Sequence, residues 1–195
     1  MKLRPRSCVV RVSRVAAAAC LVMLLPRPAS AEDRFEAMGR CYQASGQVET
    51  VTTDGKRVTT YKDPAEVAAE CNAKVLARAQ TETRVEDALA WARVIGTHSN
   101  WQSAVPVFTI AARLDATHAT CTTSESLYAL ELSLGSPVDD PQAVSGAAFV
   151  SACWPAVRDA LIGFLPKGGY PTQNACKLLT DRKALPDGKK WLCAK

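Results

Sequence analysis

The chain has 195 residues, with 24 Lys and Arg against 19 Asp and Glu. The formal charge of +5 is misleading, because six of the basic residues and none of the acidic ones lie in the first 31 positions, and the 164 residues that follow carry 18 against 19, a net of −1. That balance argues against nucleic acid as a partner, and the length suits one domain that buries about 70% of its unfolded surface without needing a metal to fold.

The first residues, MKLRPRSCVVRVSR, hold five basic groups and no acid and lead into the apolar run VAAAACLVMLL. This is the pattern of a secretory signal, too short for a membrane span. Ala29-Ser30-Ala31 supplies small residues at the first and third positions before a cut, so residues 1–31 are expected to leave as a signal peptide and the mature chain to begin at Glu32. No later apolar stretch is long enough to span a bilayer, which places the product in the periplasm or outside the cell.

In the remainder, Phe35, Met38 and Tyr42 fall at helical spacing, with Gly46 as a stop. QVETVTT and KRVTTY flank Asp54-Gly55, a pair suited to a two-residue hairpin turn, which predicts a hairpin at about 47–61 with Val51 opposite Val58 and Val48 opposite Tyr61. Asp63-Pro64-Ala65-Glu66 reads as N-cap, first-turn proline and capping acid, opening a helix to about Gln80 with Val67, Cys71 and Val75 on one stripe. Thr83 with Glu86 predicts a helix through Ala88, Trp91, Ala92 and Ile95, closed by Gly96. Ser99 with Gln102 predicts one reaching Leu114, and Thr122 with Glu125 one carrying Leu127, Leu130 and Leu134 and ending at Gly135. Asp140-Pro141 opens another to about Trp154, and Pro155 begins a further turn of helix to Leu165. After the break at Lys167-Gly168-Gly169-Tyr170-Pro171 come a short helix near Cys176 and a turn at Pro186-Asp187-Gly188. The expected fold is mainly α: a single disulfide-stapled domain of antiparallel helix pairs at 32–166, a small N-terminal hairpin, and a basic C-terminal tail at 167–195 packed on the same domain.

Cys8 and Cys20 lie in the signal, and Cys41, Cys71, Cys121, Cys153, Cys176 and Cys193 remain. An even number in an exported chain reads as three disulfides. In an antiparallel helix pair the start of the first helix lies beside the end of the second, which pairs Cys121 with Cys153. Cys41 with Cys71 would staple the ribbon to its flanking helices, and Cys176 with Cys193 would close the tail.

From Val85 to Ala116 the chain resembles a tetratricopeptide repeat unit. Ala88, Trp91, Ala92 and Ile95 occupy the first helix, and Trp101, Ala104, Phe108, Ala111, Leu114 and Asp115 fall at the spacing of the second. Pro106 departs from the pattern and should kink the second helix or delay its start. The resemblance implies a groove for extended peptides, with Trp91, Trp101 and Phe108 as a candidate binding face. The same residues also fit an ordinary helical hairpin with a core of alanines and aromatics.

His98 and His118 are the only histidines, one in the turn before the Ser99–Leu114 helix and one after it. About fifteen residues at 1.5 Å each would hold them roughly 20 Å apart, beyond one metal ion; Asp115 beside His118 reads as a cap. No metal and no cofactor site is expected, since there is no C-x-x-C pair, no G-x-S-x-G elbow, no P-loop and no dinucleotide glycine pattern. No catalytic residue is assigned. The reading is an exported non-catalytic binding or envelope-associated protein whose partner is another envelope or secreted protein. The alternative from another class is a small secreted hydrolase using paired carboxylates drawn from Glu125, Glu131, Asp139 and Asp140. The tail, with seven basic residues against two acidic, contains Tyr170 and Trp191 and offers either a weak contact with an anionic surface or a solubilising face packed on an acidic body.

Overall fold

The structure, a computed structural model, describes residues 31–43, 48–51, 54–60 and 62–194. The signal peptide expected at 1–31, apart from Ala31, lies outside the described residues, as do the stop at Gly46 and the hairpin partner Tyr61.

Helix α1 (Ala31–Gln43) precedes the strands β1 (Val48–Val51) and β2 (Arg57–Thr60), and α2 (Pro64–Ala79), α3 (Val85–His98) and α4 (Val105–Leu114) follow. The rest comprises α5 (Ser124–Leu134), α6 (Pro141–Ala152), α7 (Arg158–Phe164) and α8 (Gly169–Asp181), with short 3-10 turns at Gln102–Ala104, Ala119–Thr122, Leu165–Lys167 and Asp187–Cys193. The result is a helical, disulfide-linked single domain. Phe108, Phe149, Ile95, Leu130, Leu161 and Leu179 are among its largest fully enclosed side chains, each worth about 1.5–3 kcal/mol of transfer free energy.

Where the start signal is a side chain that caps its own backbone, the helix begins there. Asp63 accepts a hydrogen bond from the Ala65 N–H and Asp140 one from the Gln142 N–H at 2.8 Å, each with proline in the first turn. Thr123, not Thr122, caps α5, accepting from the Ser126 N–H. At α3 the expected Thr83 cap is unused: Arg84 is the N-cap and makes no side-chain cap bond. Pro106 delays the next helix, so that a 3-10 turn fills Gln102–Ala104 and α4 starts at Val105; there Asn100, not Ser99, caps the approach by accepting from the Ser103 N–H.

Three further expectations need correction. Gly96 does not close α3, which runs on to His98; its missing side chain makes room for the Trp101 indole, since a Cβ there would stand 2.4 Å from Trp101 Cε3. The hairpin pairs Thr50 with Val58 and Val51 with Arg57, one residue away from the expected register. A two-residue turn of the expected type needs positive φ at both central residues, and only Gly55 of the pair has it, at +76°. The segment near Cys176 is a 13-residue helix, α8, which buries Ala175, Cys176, Leu178 and Leu179. Buried Asn174 donates to the carbonyls of Leu134 and Ser136 and so closes the end of α5 from α8. These residues make the C-terminal segment part of the core.

The disulfides join Cys41 to Cys71, Cys121 to Cys153 and Cys176 to Cys193, as expected. The Cys121–Cys153 bridge lies where the start of α5 meets the end of α6. Those two helices approach closely at Gly146, where a Cβ would meet Ser133 Oγ at 2.8 Å; the Ser133 hydroxyl donates to the Gln142 carbonyl across the same contact. Among the described residues no helix is long and apolar enough to cross a membrane.

Candidate binding groove

Helix α4 is central, burying Val105, Val107, Phe108, Thr109, Ala111 and Ala112. Its opposite stripe, Pro106, Ile110 and Arg113, continues the line of Ser103 at helical spacing and faces outward. Two walls rise beside it. One is the α2 stripe of Ala69, Asn72, Ala73, Leu76 and Gln80, and the other is the α6 stripe of Pro141, Gln142, Ser145 and Ala148. The concavity between them has a larger part of about 400 Å³ and a smaller one of about 230 Å³, which share Leu76, Pro106 and Ser145 and so form one groove along α4. Ala69 and Ala73 on one wall and Ser145 and Ala148 on the other keep the trough open, while Pro106 and Ile110 give it an apolar floor and Leu76 an apolar side.

Polar groups mark its two ends. At one, Asn72 accepts from the Tyr42 hydroxyl at 2.7 Å and donates to Ser99 Oγ at 3.2 Å, so its amide is held in one orientation. Burial pushes the Tyr42 phenol up to about 12, which keeps it a donor across the physiological range. At the other end Arg113 is exposed and has no ion pair among the described residues.

The sequence-derived face of Trp91, Trp101 and Phe108 lies elsewhere. Trp91 is 2% and Phe108 1% exposed, and half-buried Trp101 stacks on Phe108 with ring centroids 6.4 Å apart. Trp91 and Phe108 lie on the inward stripes of α3 and α4, and Trp101 lies in the connection between the two helices, so the three do not line the groove. Trp91 packs edge-on against Phe35 of α1 and donates its indole N–H to Glu82 at 2.8 Å. Arg34 closes over that contact, ion-paired to Glu82 and Asp87 at 3.0 Å each.

The two histidines have different neighbours. His98 stacks on Tyr42 with centroids 5.5 Å apart, whereas His118, in the left-handed conformation with φ 55°, has its Nδ1 3.9 Å from the Cys121 sulfur. Asp115 caps the 3-10 turn: its carboxylate accepts from the Thr117 hydroxyl at 2.6 Å and from the N–H groups of Thr120 and Thr117. The Thr117 hydroxyl and the Thr120 N–H, in that order, hold its pKa down to about 2. Among the described residues no group of three or more His, Cys, Asp or Glu is placed to hold a metal ion.

The carboxylates of the hydrolytic alternative are not brought together in the groove. Glu125 takes a two-pronged bond from Arg93, Glu131 pairs with Lys167, Asp140 caps α6, and Asp139 is exposed. The groove residues themselves were absent from the sequence-derived set. Their signal was a second stripe on α2, α4 and α6, small and half-apolar, opposite the core stripe.

No family model, curated protein or solved structure matches the chain.

Proposed function

We propose that the protein is an exported binding module, working in the periplasm or outside the cell, that holds a short extended segment of another envelope or secreted protein in the α2–α4–α6 groove. The observation that carries this reading is the alignment of the outer stripes of α2, α4 and α6 around one open trough. From Ser103 to Arg113 the floor is about 15 Å long by helical rise, room for four or five residues of extended chain at roughly 3.3 Å each. Alanine and serine walls let a backbone approach closely, and the fixed amide of Asn72 and the adjacent Gln142 give it polar partners. The exposed guanidinium of Arg113 favours a segment with a carboxylate at that end.

Peptide-display selection against the oxidised protein tests this reading. Selected peptides should lose at least about tenfold in affinity for Ser145→Trp, which fills the trough from a half-buried position, and those ending in an acid should be the ones weakened by Arg113→Glu. Peptides that bind wild type and Ser145→Trp equally, with both proteins melting at the same temperature, would place recognition elsewhere and overturn the proposal.

A further inference from the structure

The C-terminal segment from Lys167 to Lys195 carries seven basic and two acidic residues, a net of +5, while Glu32–Pro166 carries 11 against 17, a net of −6. If the segment served only to neutralise the acidic body, its cations would be folded onto that body's carboxylates. Among the described residues one ion pair does this, Lys167 with Glu131. Lys177 pairs with Asp181 and Lys190 with Asp187, both within the segment, and Arg182 is spent on the Leu178 carbonyl, Ser151 and the face of Trp154. Lys183 and Lys189 are exposed and have no ion pair among the described residues. The positive charge is displayed to solvent.

The same surface displays aromatic rings. Trp191 is 61% exposed and Tyr170 45%. The 3-10 turn that carries Trp191 is held to α8 by Cys176–Cys193, and neighbouring Leu192 shares a shallow depression with Leu165, Pro166 and Gln173. Gln173 lines that depression from α8, where Tyr170 and Lys177 recur with it at helical spacing, and Leu192 lines it from the turn, where Lys189, Lys190 and Trp191 directly precede it in the chain. The Trp191 indole N–H donates to the Gly188 carbonyl at 3.1 Å. Its polar atom is therefore satisfied within the turn, and the ring can leave water without stranding a donor.

We propose that this surface docks on an anionic lipid bilayer, with Trp191 entering the headgroup region and Lys177, Lys183, Lys189 and Lys190 lying along it. Exposed lysines suit a surface of negative charge, and an exposed indole next to them in the chain suits the boundary between headgroup and acyl chain. The acidic body is repelled by the same surface, which turns the segment toward the membrane. The inference is independent of the groove.

The test is co-sedimentation of the oxidised exported protein with vesicles of mixed phosphatidylglycerol and phosphatidylcholine, set beside vesicles of phosphatidylcholine alone. Binding is expected only to the anionic vesicles, weakening as salt shortens the screening length from about 10 Å toward 3 Å. The double variant Lys189→Glu/Lys190→Glu should lower the partition coefficient at least about tenfold. Trp191→Ser should lower it too, Trp191→Phe should restore most of it, and all three should melt with wild type. Equal binding to both vesicle types, no binding, or binding indifferent to these substitutions would overturn the proposal. So would self-association without vesicles that the charge reversals abolish, since that would show the surface meeting the acidic body of a second copy.

Discussion

Replacing a helical glycine by alanine ordinarily stabilises a protein by about 1 kcal/mol, and at Gly96 the structure reverses that sign. A Cβ there would stand 2.4 Å from Trp101 Cε3 and 2.6 Å from both Cδ2 and Cζ3, so the indole must move. It moves at the expense of its stacking on Phe108, which is itself fixed in the core at 1% exposure. Overpacking of this kind costs about 1–3 kcal/mol. Trp101 is half-buried and has some room to turn outward, so Gly96→Ala is expected to destabilise by about 1 kcal/mol net, a fall of about 2–4 °C in melting temperature. In a Trp101→Ala background the obstacle is gone and the helical preference remains, so the same exchange should stabilise by up to about 1 kcal/mol. The cycle therefore predicts a coupling of about 2 kcal/mol between the two positions, measurable by urea denaturation of the oxidised protein followed by far-ultraviolet circular dichroism. Stabilisation by Gly96→Ala in the wild-type background, or an effect of the same sign and size in both backgrounds, would refute the packing argument.

Asp115 makes stability depend on acid. Its folded-state pKa is depressed from 3.8 to about 2, so its contribution is fully present above the unfolded value and is lost as pH falls through about 2. At 8% exposure the shift corresponds to about 2 kcal/mol. Wild type should exceed Asp115→Asn by that amount at neutral pH, with the gap closing on acidification; a gap independent of pH would assign Asp115 a role other than ionised cap. The disulfides should differ in worth. Cys121 and Cys153, both fully buried and 32 residues apart, enclose a longer loop than Cys176 and Cys193 at 17. The paired alanine variants should therefore lose about 4 and about 3 kcal/mol respectively in the chain-entropy account, with an added cavity cost at the first, and denaturation midpoints in the opposite order would contradict it.

What the sequence made legible follows the range of the interaction involved. Asp63-Pro64 and Asp140-Pro141 mark helix starts because the cap bond forms within two residues, and no distant part of the chain can overrule it. The Cys121–Cys153 pairing was legible because an antiparallel helix pair fixes which ends meet. Gly96 misled because its glycine serves a contact with Trp101 across a turn, which a local preference scale reads as a stop. Trp91 and Phe108 misled for a related reason: an aromatic stripe at helical spacing has the same pattern whether it faces a partner or the core, and only the placement of α1 and α2 decides. The groove was hidden in turn because each helix has a core stripe and an outer stripe, and the outer stripes of α2 and α6 acquire meaning only once α4 sets them side by side.

The crosslinks bear on that groove through where they are not. Cys41–Cys71 ties α1 to α2, and Cys121–Cys153 ties the start of α5 to the end of α6. Each wall of the groove is thus stapled to the helix behind it, and among the described residues no disulfide joins one wall to the other. Both walls pack against α4, which lies between them. Covalent bonds fix the two walls as units while ordinary packing fixes the space between them. The trough is consequently the place where a bound segment can add contacts without straining a crosslink, and where a single bulky substitution on either wall acts on the space itself rather than on the fold.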